Sequence, residues 1–215
     1  MKRSLYRAQV EDGNKELFVV VLEEARQAWR RELMRQGALA CSLFAKDESL
    51  FLYLESEGEC FKWEWPDACK EMLETWPGDS GVRRYAVPML DIYHDGEPEP
   101  SSARRDGQTA CERIGSLARL RPEMYGSYIF YHFALQEEKP GSFNPTYMIG
   151  AHETLIFSYQ ERPAPVGGTV APRRTWPAAV APANWHEIML PHFIPWSDGE
   201  QGPVLWEPMN TLFTF

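Results

Sequence analysis

Hydrophobic and polar residues alternate in two rhythms along this chain, and the rhythms come in the same order twice. Ser4 to Val10 has strand propensity. Leu17, Val20, Val21, Glu24, Ala25, Ala28, Trp29 and Leu33 then recur at helical spacing with one polar slip. Gly37 stands where a helix C-cap is wanted. The apolar runs Ala40 to Ala45 and Leu50 to Leu54, separated by Lys46-Asp47-Glu48-Ser49, predict a hairpin. Pro66 suits the first turn of a second helix that carries Ala68, Met72, Leu73 and Trp76 inward and stops at Pro77-Gly78, and Val82 to Tyr93 closes the half as a strand.

The same order then returns. Strand Ile114 to Leu120 leads to helix Glu123 to Glu138, strands Thr146 to Ala151 and Thr154 to Gln160, helix Trp185 to Phe193 and strand Val204 to Phe215. Each half reads βαββαβ, the ferredoxin-like arrangement, with helices on one face of a four-stranded sheet. The recurrence of Pro88-Met89 as Pro208-Met209 in the two last strands supports duplication. A bare sheet face needs covering, so the expectation is an α+β protein. Two tandem ferredoxin-like units would pack sheet to sheet as a pseudo-dimer like a dimeric α/β-barrel.

Two stretches break the pattern. DGEPEPSSARRDG, from Asp95 to Gly107, has nothing to pack and reads as a linker, giving units over 1–94 and 113–215 with 95–112 between them. Glu161 to Asn184 holds five prolines, which forbid a long helix and disfavour a central strand. It reads as a long loop inside the second unit, where long loops are often functional.

Composition adds exclusions. Residues that are 44% hydrophobic and 25% charged in a chain of 215 describe an ordinary globular protein, and a formal net charge of −9 offers no basic stripe for phosphates. The expected partner is a small molecule and not a nucleic acid. No apolar run approaches the roughly 20 residues that cross a bilayer, and the acidic start leaves no room for a signal-peptide core, so the expected address is cytoplasmic, with no membrane partner. Cys41, Cys60, Cys69 and Cys111 form no CxxC pair and read as reduced thiols, buried or incidental. His94, His132, His152, His186 and His192 fall in no metal spacing. No glycine-rich nucleotide loop and no G-x-S-x-G occurs, so neither metal nor cofactor is expected.

One segment carries chemistry. Arg121-Pro122-Glu123-Met124-Tyr125-Gly126-Ser127-Tyr128-Ile129-Phe130-Tyr131-His132 puts Tyr128 and His132 at i and i+4, on one face of a helix. Here the chain resembles the L-rhamnose mutarotase family, whose first strand ends in a proline turn before a helix carrying Tyr-x-x-x-His. The resemblance implies that His132 is the proton donor and that Tyr128 contacts sugar. It makes Tyr147, in Thr146-Tyr147-Met148-Ile149, the counterpart of a second sugar-contacting tyrosine. Trp185-His186 stands near the family's Trp-Trp pair, one indole kept and the other replaced by imidazole, which makes Trp185 and His186 substrate-binding candidates. In the first half the matching helix region has Val20, Val21, Leu22 and Ala25, the strand position has Cys41, and the Trp-Trp place has about Met72-Leu73, so that half reads as catalytically empty.

Each reading has a plainer rival. A Tyr and a His four apart are often a core pair; Trp176, Trp185, Trp196 and Trp206 can each be core; and His186 and His192 suit a surface or cap. The pairs Glu23-Glu24 and Glu137-Glu138 read as solvated helix faces, with no sign of the converging carboxylates that glycoside hydrolysis needs. The resemblance implies anomer interconversion of a free aldose, with His132 as general acid and base from an ordinary pKa of about 6.5. A binding module that keeps the monosaccharide pocket without turnover is the alternative. A haem or oxygenase protein on the related dimeric barrel is a third, and a further homodimer of such chains is compatible with each.

Overall fold

The strand rhythm becomes two antiparallel sheets, and the helical rhythm becomes helices. The computed structural model describes residues 2–58, 61, 63–96, 112–141, 143–164, 172, 179–200 and 202–215. The strands of the two main sheets are β1 (Lys2–Gln9), β2 (Ala38–Lys46), β3 (Ser49–Ser56), β4 (Val87–Pro88), β5 (Leu90–His94), β6 (Glu112–Leu120), β7 (Met148–His152), β8 (Leu155–Arg162), β9 (Phe193–Ile194), β10 (Trp206–Pro208) and β11 (Asn210–Thr214). The helices are α1 (Lys15–Arg35), α2 (Asp67–Lys70), α3 (Tyr125–Glu138) and α4 (Trp185–Met189). One sheet runs β11-β2-β3-β1-β4; the other runs β9-β6-β8-β7-β5, with β10 also on β6. The chain is a mixed α/β protein dominated by antiparallel sheet.

Contacts divide the described residues into two compact units, one running to Met89 and taking in Asn210–Phe215, the other spanning Leu90 to Met209. The sequence put the first boundary after His94. The structure moves it because the strand expected over Val82 to Tyr93 is interrupted. Val87 and Pro88 pair with Arg7 and Tyr6, the Met89 N–H donates to the Leu5 carbonyl at 2.9 Å, and from Leu90 onward the chain pairs with β7 of the second unit. Met209 repeats this by donating to the Gly115 carbonyl at 2.9 Å, after which β11 pairs with β2 of the first unit. Most of the expected linker lies outside the described residues, but its first residue, Asp95, is buried. Trp176, Cys60 and Cys111 also lie outside them, as does much of the proline-rich loop.

The first unit is built around α1, whose inward face is Phe18, Leu22, Trp29 and Leu33. This corrects the phase read from the sequence: Leu17 and Val20 are each 55% exposed, so the apolar run on α1 is wider than the face that is buried. Those four side chains pack with Cys41, Leu43, Leu50, Leu52 and Leu54 of the sheet. The second predicted helix shrinks to α2, a single turn burying Cys69, because the chain has to return to the end of β1, where Leu73 bridges Val10. Burial pushes the Cys69 thiol up to about 11, an unreactive sulfur.

In the second unit Pro122 opens a 3-10 turn, Pro122–Met124, that runs into α3. A proline there is pre-set for helical φ and forgoes only an N–H that would have no partner. The expected helix Trp185 to Phe193 divides into α4 and a 3-10 turn, Leu190–His192, with Pro191 inside it, so that Phe193 can pair with Leu120. No helix among the described residues is long and apolar enough to cross a membrane.

The two units repeat residue by residue in their registers. Arg7 faces Phe51 and Phe51 faces Phe44; Leu117 faces Phe157 and Phe157 faces Gly150. Phe51-x-Tyr53-x-Glu55 therefore occupies the place of Phe157-x-Tyr159-x-Glu161. In both, the tyrosine hydroxyl donates to the glutamate, at 2.6 and 2.8 Å. The edge irregularities also match, Asp91/Tyr93 on β5 and Thr211/Phe213 on β11.

Candidate functional site

Helix α3 starts close behind β6, so Tyr128 and His132 emerge on the face turned to the sheet, 1% and 4% exposed. Their rings lie one turn apart, tilted by 34° with centroids separated by 4.1 Å. They line a cavity of about 470 Å³, within the roughly 300–1,000 Å³ of small-molecule sites. Tyr147 and Ile149 come to it from the strand after α3, Tyr93 from β5, Trp185, His186 and Met189 from α4, and Phe193, Leu205 and Trp206 from the end of the unit. Every candidate site residue read from the sequence thus lies on one cavity. Trp185 stands edge to face with His132 at 4.9 Å. His186 is exposed at the rim.

The imidazole is held in one tautomer. His132 Nδ1 lies 2.8 Å from the Tyr128 carbonyl, which can only accept, so Nδ1 carries the proton and Nε2 is left as an acceptor. Burial holds the His132 pKa down at about 4; the Tyr128 carbonyl opposes that shift, and His192 adds to it. At neutral pH the ring is uncharged. This corrects the expectation of a group titrating near 6.5: desolvation in an aromatic cavity outweighs the one hydrogen bond.

The tyrosines are protonated for the same reason. Burial raises Tyr147 to about 12, against a hydrogen bond from Ser158, and raises Tyr128 well above its ordinary value, with Tyr147 adding to the shift. Tyr93 is raised by burial and by the hydrogen bond that it donates to Asp95 at 2.9 Å. Among the described lining residues there are three tyrosines, two histidines and one lysine, Lys139, and no carboxylate, amide or guanidinium. The site can exchange protons through neutral groups, and its walls are aromatic.

Sequence reasoning missed several contributors. Tyr93 was assigned to the first half, and only the crossing after Met89 brings it here. Glu138 is not a solvated face residue, since its carboxylate accepts the backbone N–H groups of Val180 at 2.6 Å and Ala181 at 3.1 Å. It thereby docks the end of the proline-rich loop, which supplies Pro182 and Ala183 to the wall. His192, expected at the surface or as a cap, is buried, with Nδ1 3.2 Å from the Met189 carbonyl and Nε2 2.9 Å from the Ser127 hydroxyl.

The first unit has other residues at each of these places. Counting from the strand registers, Phe18 and Leu22 take the positions of Tyr128 and His132, Cys41 that of Tyr147, and Phe213 that of Tyr93. Leu73 bridges Val10 as Phe193 pairs with Leu120, which puts Trp65 at the place of Trp185 and not Met72-Leu73, as the sequence suggested. Trp29 and Trp63 then fill the space: Trp29 lies 4.6 Å from Phe213, 5.5 Å from Trp65 and 5.2 Å from Trp63 between ring centroids. The space expected to be closed by Val20, Val21, Ala25 and Cys41 is closed chiefly by these aromatics with Phe18 and Leu22.

The fold and site define an antiparallel α/β protein with an aromatic-walled cavity of about 470 Å³ in its second unit. No family model matches the chain, and no curated protein matches it. Among solved structures, a putative monooxygenase from Fusobacterium nucleatum subsp. nucleatum ATCC 25586 matches over 99% of this chain and 92% of that one, at 8% identity and a TM-score of 0.35. At that level the likeness bears on neither fold nor activity.

Proposed function

We propose that the chain is a duplicated pair of ferredoxin-like units of the mutarotase type, and that the cavity of the second unit interconverts the anomers of a free aldose. The observation that carries the chemistry is the Nδ1–H bond to the Tyr128 carbonyl from His132, a ring that lines the aromatic cavity; it leaves a neutral imidazole whose Nε2 has a lone pair to take a proton. Nε2 takes the proton of the anomeric hydroxyl. As the bond from the anomeric carbon to the ring oxygen breaks, that oxygen receives a proton from a tyrosine hydroxyl, Tyr128 being the nearest to His132. The open aldehyde turns about its first carbon–carbon bond, and reclosure returns both protons. Imidazolium and phenolate form together as a pair, which offsets the cost of charging either alone in a buried site. Trp185 and Trp206 offer faces for the C–H side of a pyranose.

The test is exchange NMR of anomeric protons of rhamnose, fucose and galactose with wild type and His132→Ala. Acceleration by wild type that is lost in the variant is expected, since a positioned base contributes roughly 10² to 10⁴ in rate. No acceleration for any aldose, or equal rates for both proteins, ends the enzymatic reading.

A second reading, a binding module without turnover, is favoured by the low basicity of His132 at a pKa of about 4. It predicts ligand-induced thermal stabilisation without exchange.

A further inference from the structure

Two donors converge on one buried carboxylate beside the cavity. The Tyr93 hydroxyl donates to Asp95 Oδ1 at 2.9 Å, and the Phe143 backbone N–H donates to Asp95 Oδ2 at 2.5 Å. Asp95 is 2% exposed, and its own N–H is bonded to the Tyr147 carbonyl at 3.0 Å. Tyr93, Phe143 and Tyr147 all line the cavity and touch each other, with ring centroids 5.7 to 6.1 Å apart.

The first unit shows that the backbone does not need this pair. There the same edge irregularity forms, and the Phe215 N–H donates to the Cys41 carbonyl at 3.1 Å as the Asp95 N–H does to Tyr147. Phe213 and Phe215 stand in place of Tyr93 and Asp95. By contrast, the Tyr53–Glu55 and Tyr159–Glu161 pairs occur in both units, as structural pairs should. The Tyr93–Asp95 pair occurs on the side that has the cavity.

We infer that Asp95 is a positioning residue that consumes the Tyr93 hydroxyl proton, so that the cavity presents two acceptors, Tyr93 Oη and His132 Nε2, and selects a ligand carrying two O–H or N–H donors. A phenol has one proton to give, and once it is given to a carboxylate its oxygen can only accept. A site built to pair a ligand hydroxyl rejects an analogue lacking it, because the buried partner is left unsatisfied. This deepens the proposed function, resting on its ligand site but not on its hemiacetal chemistry. A polyhydroxyl ring meets the requirement.

Asp95→Asn separates the possibilities because an amide has one oxygen for two donors. The Phe143 N–H cannot reverse, so the amide oxygen serves it and the amide N–H₂ faces Tyr93. Tyr93 then accepts from Asn and donates into the cavity. The probes are resorcinol, with two O–H donors, and 3-methoxyphenol, with one. Affinities are read by titration calorimetry, and the site by the His132 ring signals in NMR. Wild type should prefer resorcinol by roughly three- to tenfold, the worth of one neutral hydrogen bond. Tyr93→Phe should bring the two within about twofold, and so should Asp95→Asn, because a Tyr93 that donates into the cavity is met by a resorcinol hydroxyl or by a methoxy oxygen alike.

If both probes move the His132 signals but the preference is the same in all three proteins, the inference is overturned and the ligand site stands. If neither probe binds any of them, the ligand site itself fails and the inference with it. Should Asp95→Asn not fold, Tyr93→Phe decides alone: a full preference for resorcinol in that variant overturns the inference.

Discussion

At the scale of single residues, His132 behaves as its burial dictates. Its folded pKa of about 4 lies below the ordinary value of about 6.5, so over that interval the unfolded chain binds more protons than the folded one. The contribution of the neutral ring to stability is therefore complete above pH 6.5 and is lost as pH falls through 4. A shift of that size amounts to roughly 3 kcal/mol. Urea midpoints measured at pH 7.5, 5.5 and 4 should fall more steeply in wild type than in His132→Asn, which has nothing to titrate there; parallel curves would contradict a buried neutral imidazole. The spacing of Tyr128 and His132, and the positions of Tyr147 and Trp185, could be read from the sequence because each lies on or near the element that presents it. The pKa could not, since it depends on how much water the other walls exclude. Tyr93 and Asp95 were hidden for a different reason: both lie more than thirty positions before Tyr128, Tyr93 in a strand that looks like part of the other unit and Asp95 at the start of a segment that reads as a linker.

At the scale of elements, α1 and α3 are equivalent helices with opposite tasks. Hydrophobic periodicity located α1 and included the buried Trp29 and Leu33, but it also took in Leu17 and Val20, which are exposed, and missed Phe18 and Leu22, which are buried. The pattern is ambiguous where apolar residues cover more of a helix than its sheet can bury. The Phe-x-Tyr-x-Glu repeat of β3 and β8 was in plain view in the sequence, yet only the strand registers show that both copies hold the same place. In the first unit the aromatic filling replaces a cavity, so removing its centre should reopen one. Trp29 is 4% exposed, and its indole N–H donates to the Glu64 carbonyl at 3.0 Å. Trp29→Ala should cost about 3–5 kcal/mol by chemical denaturation. The same truncation at Trp196, an intermediate-exposure indole of the second unit, should cost less. Equal losses would mean that the Trp29 cluster is not the close-packed centre described.

At the scale of the whole molecule, the two sequence halves are not the two folded units. Leu90–His94 belongs to the first half by sequence but completes the second sheet on β7, and Asn210–Thr214 completes the first sheet on β2. A piece ending at Gly96 would leave the β2 edge unpaired from Ser42 to Ala45 and carry β5 with no β7 to join. A piece starting at Glu112 would leave β7 open and carry β11 with no β2. Unpaired edges invite association, and an unburied Phe213 or Tyr93 forfeits apolar burial worth a few kcal/mol. Each piece alone should therefore show weak near-UV circular dichroism and a broad or aggregated elution profile. Mixed in equal amounts, they should recover the signal and the elution volume of the intact chain, because β5 finds β7 and β11 finds β2 without a covalent link. A piece ending at Gly96 that unfolds alone as a cooperative monomer, with the full near-UV signal of its aromatic cluster, would show that β11 is dispensable to the first sheet.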